Sequence, residues 1–193
     1  MHYIDNHLLI GIKPPGMQTQ PDFEEMMKQV VKKKFDKPGK VFLHAVHRLD
    51  TPVGGLVLFA RTTKALSRLN AMMRQHEITK GYKALIEGKM PAISGELIHY
   101  LVHGDRRAEI SVKDDPQAKE AILSYIQKGK EVLITLKTGR YHQIRAQLAA
   151  VGCPIIGDSK YGSRVPYAAG IALRATKLAF IHPVTKAPLV FEV

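Results

Sequence analysis

Short apolar runs separated by turn residues make up most of the chain, and their length and alternation are typical of β-strands. Consecutive strands with few helices between them predict the α+β class, with a mixed but mostly antiparallel sheet and flanking helices. The predicted strands cover Leu8–Ile12, Leu56–Phe59, Ile78–Glu87, Glu96–Val102, Arg107–Val112, Ala121–Ile126, Val132–Leu136, Ala172–Phe180 and Leu189–Val193.

Apolar residues at helical spacing predict helices in three other segments. The first covers Phe23–Phe35, with Asp22 in the position of an N-cap. The second runs from about residue 64 to residue 76, where Thr62 or Thr63 can cap it. The third covers about His142–Val151 and ends at Gly152, since glycine commonly follows the last helical residue.

The net charge of the chain limits the classes of molecule that it is expected to bind. The 193 residues include 29 Lys and Arg against 17 Asp and Glu, a formal net charge of +12. Such a surplus favours an anionic partner, either a phosphate backbone or an acidic membrane surface. The chain lacks the apolar run of about 18 residues that suggests a membrane span, so no such span is predicted.

Cellular location follows from the N-terminus and the cysteine content. The first residues lack the basic and apolar regions of a signal peptide. The single cysteine, Cys153, excludes an intramolecular disulfide and fits a reducing compartment. We therefore expect a cytoplasmic protein in which Cys153 has a structural role.

A basic cluster begins in the last turn of the first predicted helix and comprises Lys32–Lys34, Lys37 and Lys40. These cations could contact phosphate. They could equally be a solvated helix end, where positive charge suits the helix dipole. Both interpretations stay open from the sequence.

The candidate chemistry centres on His47-Arg48-Leu49-Asp50. A nucleophilic Asp50 must stay ionised in a partly closed pocket, and a close arginine opposes the rise in pKa that burial causes. Arg145 is the candidate for that arginine, and Tyr82 offers a flat face for a nucleobase removed from its helix. Taken singly, each of these residues also fits a structural role: a salt-bridged turn, a strand tyrosine and a helix-start arginine.

Three main motifs lie along the chain: Val46–Asp50 with Gly55–Arg61, Lys80–Gly88, and Thr138–Arg145 running into Gly152–Asp158 and Tyr161-Gly162. Taken in this order, they resemble the motifs of the RluA-type RNA pseudouridine synthases. Weaker matches at Lys13–Met17, Leu173–Ala175 and His182-Pro183 extend the resemblance over nearly the whole chain.

The resemblance implies one catalytic domain over residues 1–193, with a central cleft and without the S4-like module of many relatives. Asp50 matches the catalytic aspartate, Tyr82 the tyrosine that packs on the target base, and Arg145 the arginine that pairs with the aspartate. Arg48 matches the residue that fills the space of the flipped nucleotide. Further RNA contacts are assigned to His47, Lys80, Arg140 and His142.

The implied reaction is isomerisation of uridine to pseudouridine in ribosomal or transfer RNA by a monomer that needs no cofactor or metal. Asp50 could attack C1′ directly or assist a path through a glycal, and both routes stay open. The chain departs from the family at Thr51–Gly55, where a Thr-Ser-Gly stretch is usual.

Two alternatives remain. A non-catalytic RNA-binding module would explain the charge. A metal-dependent nuclease is the other. His99 and His103 are four apart, as are Asp105 and Glu109, and the two histidines share one face of a predicted strand, but no cluster has convincing ligand spacing.

Overall fold

A computed structural model describes residues 1–36 and 38–193, so Lys37 of the basic cluster lies outside the described residues. Three α-helices form in the described part of the chain: α1 (Glu24–Lys34), α2 (Thr63–Arg74) and α3 (Gln143–Ala150). Its strands are β1 (Tyr3–Ile4), β2 (Leu8–Lys13), β3 (His44–Ala45), β4 (Gly54–Ala60), β5 (Thr79–Leu85), β6 (Ser94–His103), β7 (Ala108–Ser111), β8 (Lys119–Lys128), β9 (Glu131–Leu136), β10 (Leu173–Ile181) and β11 (Pro188–Glu192).

The predicted helices form close to their predicted bounds. Thr62 caps α2, as expected, because its side chain accepts a hydrogen bond from the Ala65 amide at 3.1 Å. The prediction of Asp22 as the cap of α1 is wrong. Gln20 is extended (φ −134°, ψ 133°), but the backbone from Pro21 to Phe23 is already helical and leads directly into α1, so the cap position falls on Phe23. Phe23 already has helical backbone angles, and no side chain caps the helix there.

The chain divides into two compact units. The terminal unit comprises residues 1–78 and 175–193, and the central unit comprises residues 79–174. Helices α1 and α2 belong to the terminal unit and α3 to the central unit. The assignment of all 193 residues to one catalytic domain stays a prediction.

In the terminal unit, β4 is the most buried strand. It pairs antiparallel with β2 from Leu8↔Ala60 to Lys13↔Gly55. Every residue of β4 is buried, which explains why its sequence is continuously apolar rather than alternating. Leu58 of β4 shares a core cluster with Leu69 of α2 and Phe191 of β11.

The central unit is an antiparallel sheet in the order β5-β9-β8-β6-β7. Helix α3 is tied to this sheet through Gln147, whose side chain is completely buried. Its amide donates to the carbonyl oxygens of Leu97 and Ala121, at 3.0 Å each. The buried amide thus fixes the height of α3 above β6 and β8.

Three helices with a mostly antiparallel arrangement of strands confirm the α+β prediction. Two short strands, β1 and β3, were not predicted, since two residues are too few to show a periodicity. In residues 1–36 and 38–193, no helix is long and apolar enough to cross a membrane.

Candidate active site

The loop that carries Asp50 connects β3 to β4, and polar contacts from outside the loop fix it. The Thr19 hydroxyl donates to the Leu49 carbonyl oxygen and accepts from the Leu49 amide, both at 3.0 Å. The Gly16 amide donates to the Thr51 carbonyl oxygen at 2.8 Å. The backbone groups of both neighbours of Asp50 are therefore held in place, which restricts where the carboxylate can lie.

Lys13 is a buried cation beneath this loop, with only 1% of its surface exposed. Its ammonium donates to the carbonyl oxygens of Met17 at 2.6 Å, Pro14 at 3.1 Å and Thr51 at 3.2 Å. Burial lowers the pKa of Lys13 to about 8, although the Asp50 carboxylate acts in the opposite direction. Lys13 thus holds the loop by hydrogen bonds and also interacts electrostatically with Asp50.

The start of the loop is anchored by His47 and Glu24. The imidazole Nε2 of His47 accepts from the Leu58 amide of β4 at 3.2 Å. Glu24, the first residue of α1, accepts from the Ala45 amide at 2.9 Å. Burial favours protonation of Glu24, but the hydrogen bonds from Ala45, Gln20 and Lys28 outweigh it and lower its pKa.

One glycine at the end of the loop is required by the packing of the strands. Gly55 has φ of +122°, and a Cβ atom there would lie 2.1 Å from the Ala175 carbonyl oxygen. Any side chain would collide with backbone that β10 cannot easily move. Gly55, the last residue of the stretch Thr51–Gly55 that departs from the family, is therefore required by the packing of the strands.

Arg145 lies in the first turns of α3, as predicted, and it is 5% exposed. Its guanidinium binds both carboxylate oxygens of Asp158, at 2.7 Å from Nε and 2.9 Å from Nη2. Asp158 is 1% exposed, so this is a buried bidentate ion pair. The ion pair fixes the plane of the guanidinium and therefore the position of its third nitrogen, Nη1.

That remaining nitrogen, Nη1, lies 2.9 Å from Nε2 of His142. Because arginine has no acceptor, Nε2 accepts, and the proton of a neutral His142 is on Nδ1. Nδ1 lies 3.0 Å from the Tyr161 hydroxyl, which also accepts from the Ala108 amide at 2.8 Å. Burial raises the pKa of Tyr161 to about 12, so the phenol stays protonated and donates to the Ala108 carbonyl oxygen.

The turn before α3 is held partly by its own side chains and partly by strand β8, where the Arg140 Nε donates to the Glu120 carbonyl oxygen at 2.9 Å. The Gln143 side-chain oxygen accepts from the Thr138 hydroxyl at 2.8 Å and from the Arg140 amide at 2.9 Å. Lys80 of β5 reaches this turn, because its ammonium lies 2.9 Å from where a Cβ of Gly139 would be. Burial lowers the pKa of Lys80. Two predicted RNA contacts, Lys80 and Arg140, are thus brought to one turn.

A family model described as RNA pseudouridylate synthase matches residues 7–150. The chain belongs to this family. The match includes Asp50, Tyr82 and Arg145, the three residues predicted to be catalytic.

Named relatives agree with the family. The chain is 32% identical over 204 residues to the dual-specificity RNA pseudouridine synthase RluA of Pasteurella multocida, covering 100% of this chain and 90% of that protein. It is 32% identical over 198 residues to the ribosomal large subunit pseudouridine synthase C of Buchnera aphidicola, covering 95% and 63%. The chain therefore spans less than two thirds of the length of that relative.

A solved structure supports the fold. The human RNA pseudouridylate synthase domain containing 4 superimposes with a TM-score of 0.83, over 100% of this chain and 87% of that one. The sequences are 20% identical, so this likeness concerns the fold.

The predicted site residues of this pseudouridylate synthase family member fall into two groups. His47, Arg48 and Asp50 lie in the terminal unit; Arg48 is exposed and Asp50 is half-buried. Lys80, Tyr82, Arg140, His142 and Arg145 lie in the central unit, where His142 and Arg145 are in contact. The predicted pairing of Asp50 with Arg145 stays a prediction.

Sequence reasoning missed two residues that support the site, Lys13 and Asp158. The sequence indicates only a turn at Lys13, although a lysine that ends an apolar strand is an unusual choice for a buried position. Asp158 lies in a motif that carries the family resemblance, but the motif alone assigns it no role. The predicted partner of Arg145 is Asp50, and the structure adds Asp158 as its bidentate partner.

The residues considered for a metal site have other contacts. His99 lies 3.2 Å from the Gln147 amide nitrogen, and His103 stacks on Tyr141. Within the described part of the chain, no three His, Cys, Asp or Glu side chains are grouped to hold a metal ion. Cys153 is 1% exposed, and burial raises the pKa of its thiol.

Proposed function

We propose that this protein isomerises uridine in RNA to pseudouridine, with Asp50 as the catalytic carboxylate. The observation that carries the proposal is the family match, which spans Asp50, Tyr82 and Arg145. The anchored loop supports it, because a carboxylate that acts on a substrate must be held in one place before the substrate arrives.

The proposed roles follow the chemistry of an isomerisation. The N1–C1′ bond of uridine breaks, the C5–C1′ bond forms, and the proton lost from C5 is balanced by one gained at N1. Asp50 acts on the ribose, by attack at C1′ or by way of a glycal. Tyr82 packs on the base and takes part in the proton transfer, and Arg145 pairs with the carboxylate. No electrons are exchanged, so the reaction requires no redox cofactor.

The proposed substrate is ribosomal or transfer RNA. The Pasteurella relative is named as dual-specificity, and the Vibrio cholerae tRNA pseudouridine synthase C is 28% identical over 98% of this chain. Extrusion of a base from the RNA helix costs a few kcal/mol of stacking and pairing energy. Arg48 is exposed and can occupy the space that the extruded uridine leaves. We further propose that the protein acts as a monomer in the cytoplasm.

The test is tritium release from RNA labelled at C5 of uridine, because the C5 proton is lost only when the isomer forms. We expect the wild-type protein to release tritium and Asp50→Asn to fall by at least about a thousandfold, as for the loss of other central catalytic groups. Asp114→Asn, which neutralises an exposed carboxylate of the central unit, serves as the matched control.

Equal tritium release from Asp50→Asn and wild type would remove Asp50 from the mechanism. If the wild-type protein binds ribosomal and transfer RNA but releases no tritium from either, the non-catalytic RNA-binding module is the better description. The net charge of +12 is the observation that favours this alternative.

A further inference from the structure

Three stacked rings form a column in the central unit. The rings of His103 and Tyr141 have centroids 4.1 Å apart and an interplanar angle of 14°. Those of Tyr141 and His142 are 3.9 Å apart at 19°. Two rings this close and this parallel cannot share one face of Tyr141, so the phenol lies between the two imidazoles.

The column has a buried end and an open end. His142 is 9% exposed and contacts Arg145 through Nε2 at 2.9 Å. Tyr141 is 39% exposed, and His103 is exposed. Because both faces of Tyr141 are covered, a further planar ring can join the column only at His103.

The open end is held in place before any ligand binds. His103 ends β6 and pairs with Ala108 of β7 across a four-residue turn, residues 104–107. The Tyr161 hydroxyl bonds both backbone groups of Ala108, at 2.8 Å to the amide and 3.2 Å to the carbonyl oxygen. A prebuilt stacking surface loses little conformational freedom on binding, which favours affinity.

Basic residues lie next to the column along the chain. Arg106 and Arg107 lie in the turn after His103, and Arg140 directly precedes Tyr141. The ammonium of Lys160 donates to the Arg106 carbonyl oxygen at 3.0 Å, which places a fourth cation at the turn. The ion pairs of Arg106 with Asp105 and of Arg107 with Glu109 are exposed, so they can exchange for phosphate at little cost.

We propose that this column binds an unpaired nucleobase of the RNA substrate, stacked on the outer face of His103, with flanking phosphates against the neighbouring arginines. Stacked rings next to cations are the chemistry that recognises single-stranded RNA, whereas a base within a duplex has no free face to offer. The proposal rests on the proposed function and narrows its substrate to RNA with an unpaired segment at this surface.

The test compares binding of a fluorescein-labelled oligouridylate of about twelve nucleotides with binding of a duplex of equal length. We expect His103→Ala to weaken single-strand binding about tenfold, the usual size of one base–ring stack, and to leave duplex affinity unchanged. His103→Phe should restore single-strand binding, which separates stacking from charge. The matched control is His76→Asn, which replaces a different exposed histidine. Asn is chosen because it tolerates the positive φ of 57° at that position.

A second measurement uses the wild-type protein and needs no variant. Addition of the oligouridylate should shift the imidazole proton resonances of His103 upfield, because a stacked base imposes a ring current on them. Unshifted His103 resonances at saturating oligouridylate would overturn the proposal. So would a His103→Ala variant that binds single strands as tightly as wild type, or one that loses single strands and duplexes equally.

Tritium release by the wild-type protein separates this proposal from the proposed function. An inactive wild type that still shows the His103-dependent preference for single strands would retain the base site and reject the enzyme. An active wild type whose single-strand affinity is indifferent to His103 would retain the enzyme and reject the base site.

Discussion

The loop that carries Asp50 and the turn before α3, the helix that carries Arg145, differ in what holds them. The Asp50 loop of the terminal unit is held by side chains far away in sequence, among them Lys13 and Thr19. The turn before α3 in the central unit combines hydrogen bonds to its own Gln143 with others to the neighbouring strand β8. The contacts within the turn can be understood from its own motif, whereas the Asp50 loop depends on residues that its motif does not contain.

The largest expected effect concerns the charge of Arg145. Asp158→Ala leaves a buried guanidinium without its bidentate partner, and we expect it to reduce the free energy of unfolding by about 3–5 kcal/mol. Urea denaturation measures the loss, with Asp114→Asn as the surface control. A loss no greater than that of the control would mean that Asp158 does not stabilise the central unit through Arg145.

The next effect tests the external support of the Asp50 loop. Lys13→Met removes the donor to three carbonyl oxygens, and we expect a loss of about 2 kcal/mol at pH 7, since each orphaned carbonyl is costly but a buried charge is relieved. Chemical denaturation gives the value. A variant as stable and as active as wild type would show that the loop does not need this brace.

The same variant has a pH signature. The pKa of Lys13 is about 8 in the folded protein and 10.5 as the ordinary value, so between these the unfolded chain binds more protons. Stability of the wild type therefore rises with pH from about 8 to 10.5 relative to Lys13→Met, which lacks the group. Parallel stability curves over this window would contradict the assigned burial of the ammonium.

A smaller effect is expected at Thr19. Thr19→Val removes both hydrogen bonds to Leu49 and keeps the shape of the side chain, at a cost of about 1–2 kcal/mol. If the loop positions Asp50, kcat should fall more than the affinity for RNA changes. Thr19→Ser retains the hydroxyl and should behave as wild type in both measurements. An unchanged kcat for Thr19→Val would separate the loop from catalysis.

Substitutions in the basic cluster, which lies in neither the Asp50 loop nor the turn before α3, should have the smallest effect on stability and act on RNA binding instead. Lys32, Lys33 and Lys34 form the last turn of α1 and are exposed. Their replacement by Gln should weaken RNA binding and leave turnover at saturating RNA unchanged. The salt dependence of binding should fall by about one slope unit for each phosphate that the substituted side chains no longer neutralise. Unchanged affinity at moderate salt would mark the cluster as a solvated helix end.

Much of the fold was predictable because its signals are local. The long strands alternate or run continuously apolar, and Thr62 carries a side chain that can cap a helix by itself. Asp22 failed as a cap because its own backbone is already helical, directly after the extended Gln20. The contacts that support the site residues were harder to predict from the sequence. Lys13 contacts Thr51, and Arg145 contacts Asp158, only because the folded chain brings them together.

The buried thiol of Cys153 has a practical consequence for spectroscopy. It is the single cysteine of the chain, it is almost inaccessible, and burial raises its pKa, so the reactive thiolate is scarce at neutral pH. A cysteine introduced at an exposed position should therefore react with maleimide dyes or spin labels many times faster. Single-site labelling for fluorescence or electron paramagnetic resonance should succeed in the otherwise native sequence.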